Sequence, residues 1–138
     1  MSTDQPMRLG YLVPQFPGQT HIFFWREIAE LEARGVDVHL LSTQPPPSGL
    51  IAHDWSKDAI ARTTYLASKN PLALFNAAIR QSWSHFIKQI RRDGGAFAKD
   101  ILICLPAATR LLKYARAHKL DHIHVHSCAR AALIAAMA

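Results

Sequence analysis

A strand, a helix and a second strand within the first 41 residues constrain the fold more than any other feature of the sequence. Residues 8–13 form a short apolar run that Pro14 ends, as in a buried strand. Apolar side chains then recur at helical spacing over residues 21–34, and Gly35 stands where the residue after a helix belongs. Residues 36–41 alternate like a second strand. Because parallel strands need a crossover connection, this unit predicts an α/β fold.

The rest of the chain continues the alternation of strands and helices. Further strands are predicted at 62–67 and 121–126, and helices at 54–61, 71–92, 96–118 and 129–138. Right-handed crossovers then give a Rossmann-like parallel sheet in the order 3-2-1-4, flanked by helices. We expect residues 1–7 to form a disordered tail and residues 8–138 to form the domain.

Composition limits the class of protein. The 138 residues are 49% hydrophobic and 19% charged, which excludes a wholly disordered chain. Cys104 and Cys128 lack a C-x-x-C spacing and are expected to be reduced thiols rather than a disulfide scaffold. The sequence has no bilayer-length apolar run and no secretory signal, so we expect a cytoplasmic location. A net charge of +6 favours anionic partners such as phosphates, nucleic acid or an acidic membrane surface.

The predicted strand order also predicts where a ligand binds. Strands 1 and 4 are neighbours at the point where the order reverses, and ligands of such sheets bind beyond the carboxyl ends of those two strands. The loop 14–20 follows strand 1, and the segment 126–128 follows strand 4. These two segments are therefore the predicted site.

The loop after strand 1 leads directly into the first helix. Gly18, Gln19 and Thr20 stand beside the free N–H groups at the positive end of this helix, where phosphate binds well. Thr20 is expected to cap the helix, and His21 is either a surface histidine or a substrate contact. The chain lacks the glycine-rich phosphate-binding motifs, and a plain turn needs the same residues, so the loop alone favours a turn.

The fourth strand carries three histidines on one face, which raises the question of a metal site. His122, His124 and His126 alternate along the strand, so successive imidazoles are about 7 Å apart. This spacing, with no acidic residue following, favours packing roles for the first two and no bound metal. His126 differs because it stands at the carboxyl end, where it can donate to a hydroxyl or phosphate oxygen. Ser127 either assists His126 or caps the final helix, and the cap is favoured.

Taken together, the two segments resemble a known family. Residues 11–23, YLVPQFPGQTHIF, and the helix that follows resemble the opening of retaining glycosyltransferases of the GT-B fold. The resemblance is to family 4 members that build exopolysaccharides and other bacterial surface glycans. Residues 121–126, DHIHVH, resemble the family's strand of Asp, two hydrophobic residues and His-x-His. His126 matches the family's histidine near the donor sugar, and Gly18 matches the loop that approaches the donor diphosphate or the acceptor.

The resemblance implies transfer of a sugar from a nucleotide-sugar donor to a glycan or lipid-linked acceptor, with no other cofactor. Family members often have two adjacent glycines or a serine where this chain has Gly18, Gln19 and Thr20. Their donor pocket, with paired glutamates spaced E-x7-E, lies in a second Rossmann-like domain. We therefore expect residues 8–138 to be an incomplete acceptor-side domain that is inactive alone. The alternatives are a non-catalytic subunit of a split glycosyltransferase, or a metal-dependent hydrolase that uses His124 and His126.

The predicted helix 71–92 is basic and amphipathic. Its apolar positions share one side, and Lys88, Arg91 and Arg92 lie on other faces. The apolar side is expected to pack on the sheet with the charges in water. Contact with the inner face of the cell membrane is the alternative, and a lipid-linked acceptor would favour it. Nucleic acid is not expected, because the aromatic residues do not alternate with the basic ones.

Overall fold

The computed structural model describes residues 5–47, 49, 53–67, 71–80 and 83–138. In chain order the elements are β1 (Arg8–Gln15), α1 (Ile22–Ala33), β2 (Asp37–Gln44), α2 (Ser56–Arg62), β3 (Thr64–Tyr65), α3 (Pro71–Arg80), α4 (Ser84–Asp93), α5 (Gly95–His118), β4 (His122–Val125) and α6 (Arg130–Met137). Of the predicted tail, residues 1–4 lie outside the described residues. Met7 precedes β1, and its carbonyl accepts a hydrogen bond from the N–H of Asp37 at 2.9 Å.

The four strands form one parallel sheet in the order β3-β2-β1-β4, which confirms the predicted topology. In the register of this sheet, Tyr11 of β1 lies between Leu40 of β2 and His124 of β4. Because side chains alternate along a strand, Tyr11 and His124 share one face, and Leu12 and Val125 share the other. Strand β1 is thus central, and its carboxyl end lies beside that of β4.

Helices cover both faces of the sheet. On one face, α1 and α2 bury Ile28 and Ala59 against the side chains of β1 and β2. On the other face, α5 and α6 bury residues such as Leu105 and Ile134 against Leu12. Burial of this apolar surface stabilises the domain and fixes β1 between two helical layers.

The predicted helix 71–92 is instead two helices, α3 and α4. Residues 81–82 lie outside the described residues. Trp83 directly precedes α4, and its Nε1 donates to the carbonyl of Ala78 at 2.9 Å. Phe86 of α4 is buried, at 7% exposed, but α4 packs on α5 and not on the sheet as predicted.

For α3 the prediction of burial against the sheet is wrong. Its apolar residues Leu72, Phe75 and Ile79 are 69%, 65% and 67% exposed. The physical reason is that α5 and α6 already occupy this face of the sheet, so α3 packs on α5 rather than on a strand. None of the helices within the described ranges is long and apolar enough to cross a membrane.

Candidate functional site at the carboxyl ends of β1 and β4

A cavity of about 510 Å³ opens where β1 and β4 end. This volume is in the range of small-molecule sites. All six residues that the sequence nominated line it: Gly18, Gln19, Thr20, His21, His126 and Ser127. The structure thus brings together the loop after β1 and the segment after β4, at the point where the strand order reverses.

Side chains of β2 and β3 hold the start of the loop in place. Ser42 is fully buried, and its Oγ accepts a hydrogen bond from the N–H of Phe16 at 3.0 Å. The hydroxyl of Tyr65 donates to the carbonyl of Phe16 at 3.1 Å, and Thr43 donates to the carbonyl of Pro14. Sequence reasoning missed these supports, although two hydroxyl residues at the end of an apolar strand were a visible signal.

Gly18 is required by close packing against His21. A Cβ at Gly18 would lie 2.8 Å from two atoms of the His21 ring, which is shorter than side chains tolerate. The N–H of His21 also donates to the carbonyl of Gly18 at 3.0 Å. The glycine therefore allows the imidazole to lie over the loop.

His21 is a cavity residue rather than a surface histidine. Its ring stacks on Phe16 with centroids 5.9 Å apart, and burial lowers its pKa from the usual 6.5. The Nδ1 atom is buried and has no hydrogen-bond partner among the described residues. The ring of His21 is therefore neutral near pH 7 and forms part of the cavity lining.

Neither predicted helix cap forms. The residue before α1 is His21, which makes no side-chain capping bond, and Thr20 lies exposed at the cavity. The cap position of α6 is Ala129, because this helix begins at Arg130. Ser127 therefore lies too early to cap it, and its Oγ instead accepts a hydrogen bond from the N–H of Ala129 at 3.4 Å. The first turn of α1 also contains no acidic residue, so its positive end stays uncompensated beside the cavity.

The histidines of β4 are arranged differently from the prediction. Strand β4 ends at Val125, and the rings of His124 and His126 approach to 4.4 Å between centroids instead of the expected strand spacing. His122 and His124 are exposed rather than partly buried. The reason is that α1 packs over β1 and β2 and leaves this face of β4 uncovered.

Glu27 is a residue of the site that sequence reasoning missed. It extends from α1 toward β4, and its Oε2 accepts a hydrogen bond from the hydroxyl of Tyr11 at 2.6 Å. The same oxygen is 3.6 Å from Nε2 of His126, beyond hydrogen-bond distance. Burial raises the pKa of Tyr11 well above its usual value, and the hydrogen bond and charge of Glu27 raise it further. The missing acidic neighbour of the histidines is therefore supplied by a helix distant in the sequence.

His126 is the most buried histidine of this group. Its side chain is 17% exposed, and its ring packs against Tyr11 and Phe24 at 4.4 and 4.5 Å between centroids. Burial lowers its pKa below 6.5, His124 lowers it further, and Glu27 opposes the shift. The ring is therefore neutral near pH 7. A neutral imidazole can donate one hydrogen bond and accept another at the cavity wall.

The fold and the cavity define an α/β chain with a parallel sheet and a ligand-sized site at the topological switch point. Comparison of the chain with models of protein families, with curated proteins and with solved structures finds no match.

Proposed function

We propose that this chain is the acceptor-side portion of a glycosyltransferase with a GT-B fold, similar to family 4. It moves a sugar from a nucleotide-sugar donor to a glycan or lipid-linked acceptor. One observation carries the proposal. The two segments whose residues resemble that family, 11–23 and 121–126, are far apart in the chain but meet at one cavity.

In this proposal the cavity residues bind the donor and the transferring group. The loop Gly18–His21 and the positive end of α1 are placed to bind an anionic group such as the donor diphosphate. His126 lines the same cavity as this loop, where a neutral imidazole donates a hydrogen bond to an oxygen of the transferring sugar or the acceptor. Ser127 contributes a second hydroxyl on the same side.

Transfer requires a second domain in this proposal. In the family that the sequence resembles, the donor pocket and its paired glutamates belong to a second Rossmann-like domain. This chain alone therefore positions the acceptor and the transferring group but shows no turnover. The domain with the E-x7-E pair is the partner that completes the site, whether joined to this chain or supplied as a separate subunit.

A lipid-linked acceptor is supported by the surface of the helical layer. The apolar side of α3 is exposed at Leu72, Phe75 and Ile79. Exposed basic residues follow on α4, at Lys88, Arg91 and Arg92. Exposed apolar and basic side chains on helices are features of segments that lie on anionic lipid surfaces.

The test is a transfer assay on the protein purified from its native host through a small epitope tag, so that any joined or associated donor domain is retained. Radiolabelled UDP-, GDP- and ADP-sugars are supplied with extracted membrane lipids and soluble glycans as acceptors. The proposal predicts label transfer from one donor class when a domain carrying the E-x7-E pair is present. A preparation that contains this domain and transfers label from no donor contradicts the proposal.

A further inference from the structure

Three possible metal ligands come together beside the cavity from different elements. Glu27 belongs to α1, His124 belongs to β4, and His126 directly follows β4. Their ligand atoms all lie within 4.8 Å of one another. We propose that Glu27, His124 and His126 form a binding site for a divalent transition-metal ion of the Zn²⁺ type.

The donor set fits this class of ion. Two imidazoles and one carboxylate are ligands that Zn²⁺ uses in sites that keep a fourth position open. At ligand distances of about 2.1 Å, the ligand atoms around a tetrahedral ion are about 3.4 Å apart. Nε2 of His126 and Oε2 of Glu27 are already 3.6 Å apart. His124 is exposed, so its side chain can rotate to close the remaining distance.

The surroundings of the ligands support the same conclusion. Nε2 of His126 is buried without a hydrogen-bond partner among the described residues, and an ion would satisfy it. The fully buried Tyr11 donates a hydrogen bond to Glu27 and orients its carboxylate, as residues behind metal ligands commonly do. A carboxylate can accept several interactions, so this bond leaves capacity for the ion.

The fourth position on the ion would take water or an oxygen atom of a ligand in the cavity, because His126 belongs to the cluster and also lines the cavity. A Zn²⁺-type ion there would supply positive charge next to the uncompensated end of α1. The site therefore extends the anion-binding character of the cavity. It does not depend on the proposed sugar transfer, because ion binding is measured without donor or acceptor.

The test is a titration of the chelator-treated full chain, without a polyhistidine tag, with Co²⁺. We expect one ion per chain, the intense visible absorption of a four-coordinate site, and loss of this absorption when Zn²⁺ displaces Co²⁺. His124→Ala should weaken binding by about 100-fold or more, and Tyr11→Phe by about 10-fold to 100-fold because it frees the carboxylate. Glu27→Gln keeps an acceptor for Tyr11 and should also weaken binding by about 10-fold or more.

His122→Ala is the matched control. This histidine is exposed on the same strand but outside the cluster, so its replacement should leave the affinity and the absorption unchanged. Circular dichroism verifies that each variant is folded. The proposal is overturned if the folded wild-type chain gives no saturable absorption. It is also overturned if binding survives His124→Ala undiminished, or if His122→Ala weakens it equally.

Discussion

The hydrogen bond between Tyr11 and Glu27 links the central strand to α1 and makes a quantitative prediction. Tyr11 is 0% exposed and its hydroxyl donates to the carboxylate at 2.6 Å. Hydrogen bonds to charged groups contribute about 1.5–3 kcal/mol. The Glu27 side chain is 46% exposed, so solvent screening reduces the loss expected for Tyr11→Phe to about 1–2 kcal/mol. Glu27→Ala leaves the buried hydroxyl without its acceptor and should cost about 1–3 kcal/mol.

The double variant distinguishes this bond from separate packing effects. When both partners are removed, no buried group is left unsatisfied, so the combined loss should be smaller than the sum of the single losses by about 1 kcal/mol. Urea denaturation at pH 7 measures all three variants. Tyr114→Phe is the control, because its hydroxyl bonds to the imidazole of His39 at 3.0 Å and its loss should be about 0.5–1.5 kcal/mol. If the loss in the double variant equals the sum of the two single losses to within about 0.5 kcal/mol, the hydrogen bond does not couple these residues and the prediction is wrong.

Three further predictions concern the loop and its supports. Gly18→Ala should destabilise the chain by about 1–3 kcal/mol because the new methyl group displaces the ring of His21. Adding His21→Ala should restore most of this loss. Equal losses in the single and double variants would contradict this cause. Ser42→Ala should cost about 1–3 kcal/mol because it leaves the buried N–H of Phe16 unsatisfied. Ser56→Ala should be nearly neutral, since its buried Oγ has no partner among the described residues. Denaturation midpoints that rank these two variants in the opposite order would contradict the prediction. Burial lowers the pKa of His21, so the unfolded chain binds more protons than the folded chain. The contribution of His21 to the free energy of unfolding should therefore be fully present above pH 6.5. It should fall as the pH drops toward the lower pKa that His21 has in the folded chain. A chain carrying His21→Gln should show a flatter decline, and an unchanged profile would contradict this cause.

The sheet was predictable from local patterns. Strands β1 and β2 carry the apolar residues of a βαβ unit around α1, and the crossover rule then gives the order β3-β2-β1-β4 as the expected arrangement. The same rule places the loop at Gly18 and the segment at His126 side by side, so the position of the cavity followed from topology.

Which residues meet at the site was harder to predict from the sequence than where the site lies. Glu27 reaches the histidines because α1 packs against β1 at Tyr11, and no spacing in the sequence encodes that contact. The approach of His124 and His126 depends on where β4 ends, since two residues within a regular strand would remain farther apart.

The exposure of α3 was unpredictable for a related reason. Its apolar residues have the spacing of a helix that packs on a core. Which helix covers a sheet is decided by competition for the surface, and α5, with seven buried residues, occupies it. Helical periodicity identifies an apolar side but does not specify what covers it.

The role proposed for His126 is measured by the rate of sugar transfer in a native preparation that contains the proposed donor domain. We expect His126→Ala to lower kcat by about 10-fold to 100-fold, because it removes a hydrogen bond to a charged or developing-charge oxygen. His122→Ala, on the same strand but outside the cavity, should keep the wild-type kcat. An unchanged kcat in folded His126→Ala, or an equal decrease in both variants, would contradict the account.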